Sequence, residues 1–202
     1  GEEVLTVWCW DPNFNVYAMK QAEALYQKDH PNFKLDIQEK VYTDIEQSLI
    51  TAAEAGNYDT LPDIFLMQDY SFHKNATNYP GIFTALDDCG IDFSQFSMGK
   101  LADSTVDGTH YGIPFDNGAT IMAIRSDMVE AAGLKAEDFK DTTWSEFMEL
   151  SKKVMAANDV PMLTCSGGSE IVIEMLQSAG ASPMVDGKVT LVDNAALKKA
   201  IE

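Results

Sequence analysis

Basic residues are scarce. Fourteen lysines and arginines stand against 32 aspartates and glutamates in 202 residues, a formal charge of −18. Duplex nucleic acid and anionic membrane surfaces both demand a basic footprint. The densest basic cluster, Lys152-Lys153, falls on an amphipathic helix as solvated surface. No nucleic acid partner is expected. Such acidity favours a soluble monomer and tilts ligand preference towards neutral or cationic solutes. No apolar run approaches the ~18–20 residues of a membrane span. The N-terminus lacks the basic and apolar regions of a signal peptide; Gly1-Glu2-Glu3, without an initiating Met, suits a mature exported chain or a shortened one.

Cysteine is limited to Cys9, Cys89 and Cys165, with no metal-ligand or Cys-x-x-Cys spacing. An odd count leaves at least one unpaired, and buried free thiols are the expected state. His30, His73 and His110 lie far apart, and no HExxH, Gly-x-Ser-x-Gly or P-loop occurs. Ser166-Gly167-Gly168-Ser169 lacks the lysine a phosphate loop needs. No metal, cofactor or catalytic residue is expected.

What is present is a globular balance, 46% hydrophobic and 23% charged, and an alternating first third. Val4–Trp10 reads as a strand, Phe14–Lys28 as a helix and Phe33–Ile37 as a second strand. Thr43 and Glu46 have the form of a capping box opening a helix that ends at Gly56, and Asp63–Met67 reads as a third strand. This β-α-β-α-β order predicts a parallel sheet with helices on its faces and all three strand ends on one edge. Ligands of open α/β sheets bind beyond those ends. The residues there are Trp10-Asp11, Val41-Tyr42 and Gln68-Asp69-Tyr70.

Residues 71–106 read as loops and short helices, with the sequon Asn75-Ala76-Thr77 in a surface loop. Asp107-Gly108 and Asp186-Gly187 are hairpin turn pairs. Ala119–Ile124 and Pro161–Cys165 read as apolar strands. Helix starts are expected at Ser126, capped with Glu130, and at the capping box Thr143-Trp144-Ser145-Glu146. A helix follows Ser169, and a last one is capped by Asp193-Asn194.

The stretch "DGTHYGIPFDNGATIMAIRSDMVEAAGL", followed by "TTWSEFMELSKKV", resembles the solute-binding proteins of bacterial ABC transporters, in the family that includes maltose-binding protein. Gly112-Ile113-Pro114 stands where that family has its hinge strand, Asp127 to Ala132-Gly133-Leu134 fits its "DxxxxAGL" pattern, and "LPDIFLMQD" fits its third strand. The resemblance spans essentially the whole chain. It implies a periplasmic-binding-protein-like α/β fold of two lobes, each a mainly parallel sheet flanked by helices. Residues 1–110 would form the N-terminal lobe, 111–118 the hinge crossing and 119–202 part of the C-terminal lobe, about half of such a protein. It further implies an extracytoplasmic receptor that captures a carbohydrate between lobes and delivers it to a membrane permease. Such a receptor is not an enzyme; it is monomeric, and membrane-associated only through a lipid anchor outside this chain.

The candidate ligand-binding residues are Trp10, Asp11, Tyr42, Gln68, Asp69, Tyr70, Asp116, Asn117, Gly167 and Gly168. An aromatic ring covers the C–H face of a sugar while carboxylates and amides accept from its hydroxyl rim. Each residue has a plainer use as well. Asp11 suits a helix cap, Asp116 and Asn117 a turn with Gly118, and Gly167-Gly168 a tight connection. Trp8 and Trp144 suit core packing. Two rival functions draw on the same residues. Trp10 with Asp11, Asp69 and Asp116 could cage a polyamine ammonium, and Asp69 with Asp116 could serve a glycoside hydrolase.

Overall fold

In a computed structural model, which describes residues 3–164 and 169–202, the chain forms two compact units, Gly1–Ala119 and Thr120–Glu202. The first is built on a parallel sheet of β1 (Glu3–Cys9), β2 (Phe33–Glu39) and β3 (Ile64–Phe65), in the order β2-β1-β3. Side chains alternate across the central strand: Val7 and Cys9 enter one core cluster and Trp8 another. Helix α1 (Asn15–Tyr26) joins the first cluster through Val16, and α2 (Tyr42–Ala55) joins the second through Ile45 and Leu49. Burying a side chain such as Ile45 or Leu49 stabilises the fold by roughly 1.5–3 kcal/mol each. The two helices therefore cover opposite faces of β1. The path from β1 out to β2 and back across to β3 makes the β1/β3 boundary a topological switch point, the place where an open α/β sheet has its crevice.

The edge of the unit is closed by α3 (Asp69–Asn78), α4 (Met98–Ser104) and a hairpin of β4 (Thr105–Val106) and β5 (Thr109–His110). Asp107 and Gly108 both have positive φ, 50° and 82°, as that two-residue turn requires. His110 Nδ1 lies 2.8 Å from Asp87 Oδ1, and the Phe93 ring stacks on the imidazole at 4.0 Å.

In the second unit, α5 (Ser126–Ala131) and α6 (Trp144–Asn158) share a core of Val129, Phe139, Phe147 and Val154. The Thr143 capping box forms in full: Thr143 Oγ1 accepts from the Glu146 N–H at 3.3 Å, and Glu146 Oε2 accepts from the Thr143 N–H at 2.8 Å. Trp144 packs in that core, and its Nε1–H donates to Ser178 Oγ of α7 (Glu170–Ser178) at 2.8 Å. The hairpin of β6 (Met184–Val185) and β7 (Lys188–Val189) turns at Asp186-Gly187, and Asn194 Oδ1 accepts from the Leu197 N–H to start α8 (Ala195–Ile201).

Several expectations are corrected. Helix α2 starts at Tyr42 with Val41 as its cap, so Thr43 lies inside the first turn, and Glu46 bonds to α3 instead of reaching back. Ser126 is likewise the first helical residue after Arg125; Asp127 is engaged by the Arg125 guanidinium at 2.9 and 2.6 Å. Residues 111–125 carry no strand, and neither do 161–164. A strand exists through its ladder, and no described strand runs beside either segment. Asn75 is in a helix and fully buried, not on a surface loop. Cys9 is buried as expected, its thiol pushed up by burial and by Glu39, whereas Cys89 is exposed. Cys165 lies outside the described residues.

Leu49→Ala is expected to destabilise the first unit by about 2–5 kcal/mol, and Thr143→Ala the second by about 1 kcal/mol. Urea melts followed by tryptophan fluorescence check both. A Leu49→Ala melt superimposable on that of the unsubstituted chain would refute this core.

Candidate binding site at the sheet edge

Where β1 ends, the backbone turns sharply into α1. The N–H groups of Trp10 and Asp11 both donate to Asn15 Oδ1, at 3.2 and 2.9 Å, from a side chain only 1% exposed. Asp11 Oδ1 accepts from the N–H groups of Asn13 and Phe14 at 2.8 and 3.1 Å, and its carbonyl accepts from that of Val16 at 3.0 Å. Asp11 thus closes the turn into α1, the plainer of its two anticipated uses. The turn holds Trp10 at the strand end, with its indole packed on the Trp8, Ile45 and Leu49 cluster.

From Trp10 a line of rings crosses the ends of the other elements. Tyr42, in the first turn of α2, meets Trp10 edge-to-face at 5.2 Å, and Tyr70 meets Tyr42 at 6.3 Å. Tyr70 is 75% exposed. The Tyr42 hydroxyl is buried and makes no hydrogen bond of ordinary geometry. Burial, with the Glu46 carboxylate nearby, pushes its pKa up to about 12, so it stays a neutral donor at working pH. Gln68 caps α3 through its carbonyl, which accepts from the N–H groups of Ser71 and Phe72 at 3.0 and 3.1 Å. Asp69 follows in the first turn, where the helix dipole favours a carboxylate.

Asp69 pairs with the Lys100 ammonium of α4, which also lies 3.8 Å from Asp116 Oδ1. Burial alone would lower the lysine pKa. The hydrogen bond and charge of Asp69, with Asp116 and Asp103 adding to it, outweigh that and raise it above the ordinary value. Beside Asp116, Phe115 meets Phe14 edge-to-face at 5.5 Å, and Phe14 returns the circuit to the turn held by Asp11. Asn117 is exposed next to Asp116. The fold joins Trp10, Tyr42 and Tyr70 through ring contacts and Asp69 and Asp116 through Lys100; Gly167 and Gly168 lie outside the described residues.

Sequence reasoning missed Lys100, Asn15, Phe14 and Phe115. Phe115 flanks the anticipated Asp116 and could have been added on that ground. Asn15 sits four residues after Asp11, a spacing that allows a local side-chain bond to the turn. For Lys100, alone in a short helix far along the chain, no local signal exists.

Behind the rings, Glu46 ties α2 to α3. Its Oε1 accepts from Lys74 Nζ at 3.0 Å and Asn75 Nδ2 at 2.8 Å. Burial would raise this carboxyl, but Asn75 and Lys74 outweigh it and hold it below the usual glutamate range. Among the described residues there is no cluster of His, Cys, Asp and Glu suited to a metal ion, and no helix long and apolar enough to cross a membrane.

Comparison with known proteins places this edge in context. The model of a family described as bacterial extracellular solute-binding protein matches residues 21–202. The chain is 40% identical over 200 residues to the lactose-binding protein of Rhizobium radiobacter, covering 98% of this chain and 47% of that protein. It is 24% identical over 167 residues to the arabinooligosaccharide-binding protein of Bacillus subtilis (strain 168), covering 81% and 37%. The chain thus spans under half the length of these curated relatives. Its fold is similar to that of the GacH receptor of Streptomyces glaucescens, solved unliganded and with acarbose, at TM-score 0.70 and 16% identity over 100% of this chain and 52% of that one. UgpB from Mycobacterium tuberculosis, in complex with glycerophosphocholine, matches at TM-score 0.72 and 21% identity over 99% and 51%. These likenesses give the α/β, periplasmic-binding-protein-like fold class anticipated from the sequence.

Asn15→Ala leaves two strand-end N–H groups without their acceptor and is expected to cost about 1–3 kcal/mol, measured by urea denaturation. The lowered Glu46 carboxyl contributes stability that is present above the unfolded value of about 4.3 and is lost as pH falls through the lower folded value. Melting temperatures of Glu46→Gln and the unsubstituted chain should therefore converge on acidification below about pH 4. Curves that stay parallel down to acid pH would remove Glu46 as the coupling group.

Proposed function

The chain belongs to the bacterial extracellular solute-binding proteins, and on that premise we propose that it captures a carbohydrate, an oligosaccharide by class, for delivery to the membrane permease of an ABC importer. The observation that carries this reading is the alternation of aromatic rings and carboxylates around one sheet edge, Trp10–Tyr42–Tyr70 against Asp69–Lys100–Asp116. Rings of this kind cover C–H faces, and the carboxylates accept from hydroxyls. The lactose and arabinooligosaccharide named for its relatives support the ligand class.

In this reading Trp10 and Tyr70 stack on sugar rings, Tyr42 donates or packs beneath them, and Asp69 and Asp116 accept from hydroxyls. Asp11, Gln68 and Asn117 border them. Residues 111–118 act as the hinge that bends on capture. The family is an extracellular one, so the chain acts outside the cytoplasm; a monomeric state and a lipid anchor beyond these residues belong to the proposal.

Binding, not catalysis, is the assigned role. The names of the family and of the relatives are those of binding proteins. A glycosidase general acid needs an apolar enclosure, whereas the Asp69 and Asp116 side chains are each about half exposed, at 49% and 50%, with a lysine between them. The same lysine counts against a polyamine cage, since it already supplies those carboxylates with a cation.

The test is titration calorimetry of the chain with lactose, arabinotriose and spermidine. Saturable binding of a saccharide is expected, weakened about tenfold or more by Trp10→Ala and by Asp69→Asn. Saturation by spermidine alone, or saccharide binding untouched by both substitutions, would overturn the reading.

A further inference from the structure

Two carboxylates and an indole at the mouth of an acidic protein should attract cations. Asp69 begins α3 and Asp116 lies in the segment after β5, yet both meet one ammonium, that of Lys100. The lysine side chain is 18% exposed, so the charge is held from within the protein and does not sweep through solvent. Asp103, on the same helix, adds a further negative charge within electrostatic range.

We propose that Lys100 is the specificity-determining residue of this site: it occupies, as part of the protein, the place an ammonium ligand would take, and so favours uncharged sugars over cationic ligands. The inference rests on the carbohydrate reading and deepens it by naming the disfavoured class. The chemistry is direct. Lys100 contacts one oxygen of each carboxylate, Asp69 Oδ2 and Asp116 Oδ1. The other oxygen of each remains to accept from a sugar hydroxyl. A hydroxyl needs only that lone pair, whereas a ligand ammonium would meet the like charge of Lys100 beside the same carboxylates. Lys100 thereby shifts the preference of the site from cationic towards neutral ligands. Because these groups are partly exposed, solvent screens the effect, and its size is roughly tenfold in affinity.

The experiment compares Lys100→Met, Lys100→Gln and Lys100→Arg with the unsubstituted chain, each checked for folding by circular dichroism. Lactose and spermidine are titrated at low and at physiological ionic strength. In Lys100→Met and Lys100→Gln, spermidine affinity should rise about tenfold or more, with the gain shrinking as salt is added, while lactose affinity falls. Lys100→Arg should keep the original ranking, since it keeps the charge. Two neutral substitutions guard against one that fails to fold.

If the neutral variants bind spermidine no better than the parent, or if Lys100→Arg behaves like them, Lys100 is not the discriminating charge. The two readings separate cleanly. Lactose binding by the parent with no spermidine gain in the variants sinks this inference alone. A spermidine gain in a protein that never binds a saccharide sinks the carbohydrate reading and leaves the charge discrimination standing.

Discussion

The first unit depends on a single constraint: β1 is covered on both faces, so its end must become a turn without leaving backbone groups unpaired. Val7 and Cys9 are sealed under α1, and Trp8 under α2. At the last residues of the strand, Asn15 reaches back from α1 and accepts from two successive N–H groups with one oxygen. A buried amide in that position substitutes for the next sheet partner. It also holds the backbone from which the Trp10 indole meets Tyr42, which in turn meets Tyr70.

The charge arrangement at that edge differs from what the overall composition suggests. A chain of −18 would be expected to leave its clustered acids unmatched. Instead Lys100 sits where Asp69 and Asp116, from separate segments, converge. The same economy operates behind the rings, where Glu46 takes Lys74 and Asn75 and locks α2 against α3. The Tyr42 phenol, raised by burial and by that carboxylate, stays uncharged between the two.

Local chemistry was legible wherever it closes on itself within a few residues. The two Asp-Gly hairpins, the Thr143 capping box, the Gly56 cap and the Asn194 cap all form as the sequence implies. Thr43 carries the right residue type for a cap, but the acid meant to complete it, Glu46, is drawn off by Lys74 and Asn75, while Ser126 falls inside its helix with Arg125 in the cap position. Ala119–Ile124 has strand composition without a neighbouring strand. Asn75, read as a loop residue, is buried in α3, where its amide donates to Glu46 of α2 and to the Ser71 carbonyl, a fact invisible in a three-residue pattern.

By itself the sequence determined the parallel β-α-β-α-β order, the faces of β1 and which strand ends carry aromatic and acidic residues. Those features follow from periodicities of two and 3.6 residues and from turn chemistry, all local. Only the tertiary structure decided that Lys100 stands between Asp69 and Asp116, that Phe14 meets Phe115, and that Asn15 pins the end of β1. An ion pair or a ring contact requires two segments distant in the chain to meet, and nothing in either segment alone encodes its partner. The sheet places the strand ends together; the loops and short helices that return to them choose the charge that sits among them.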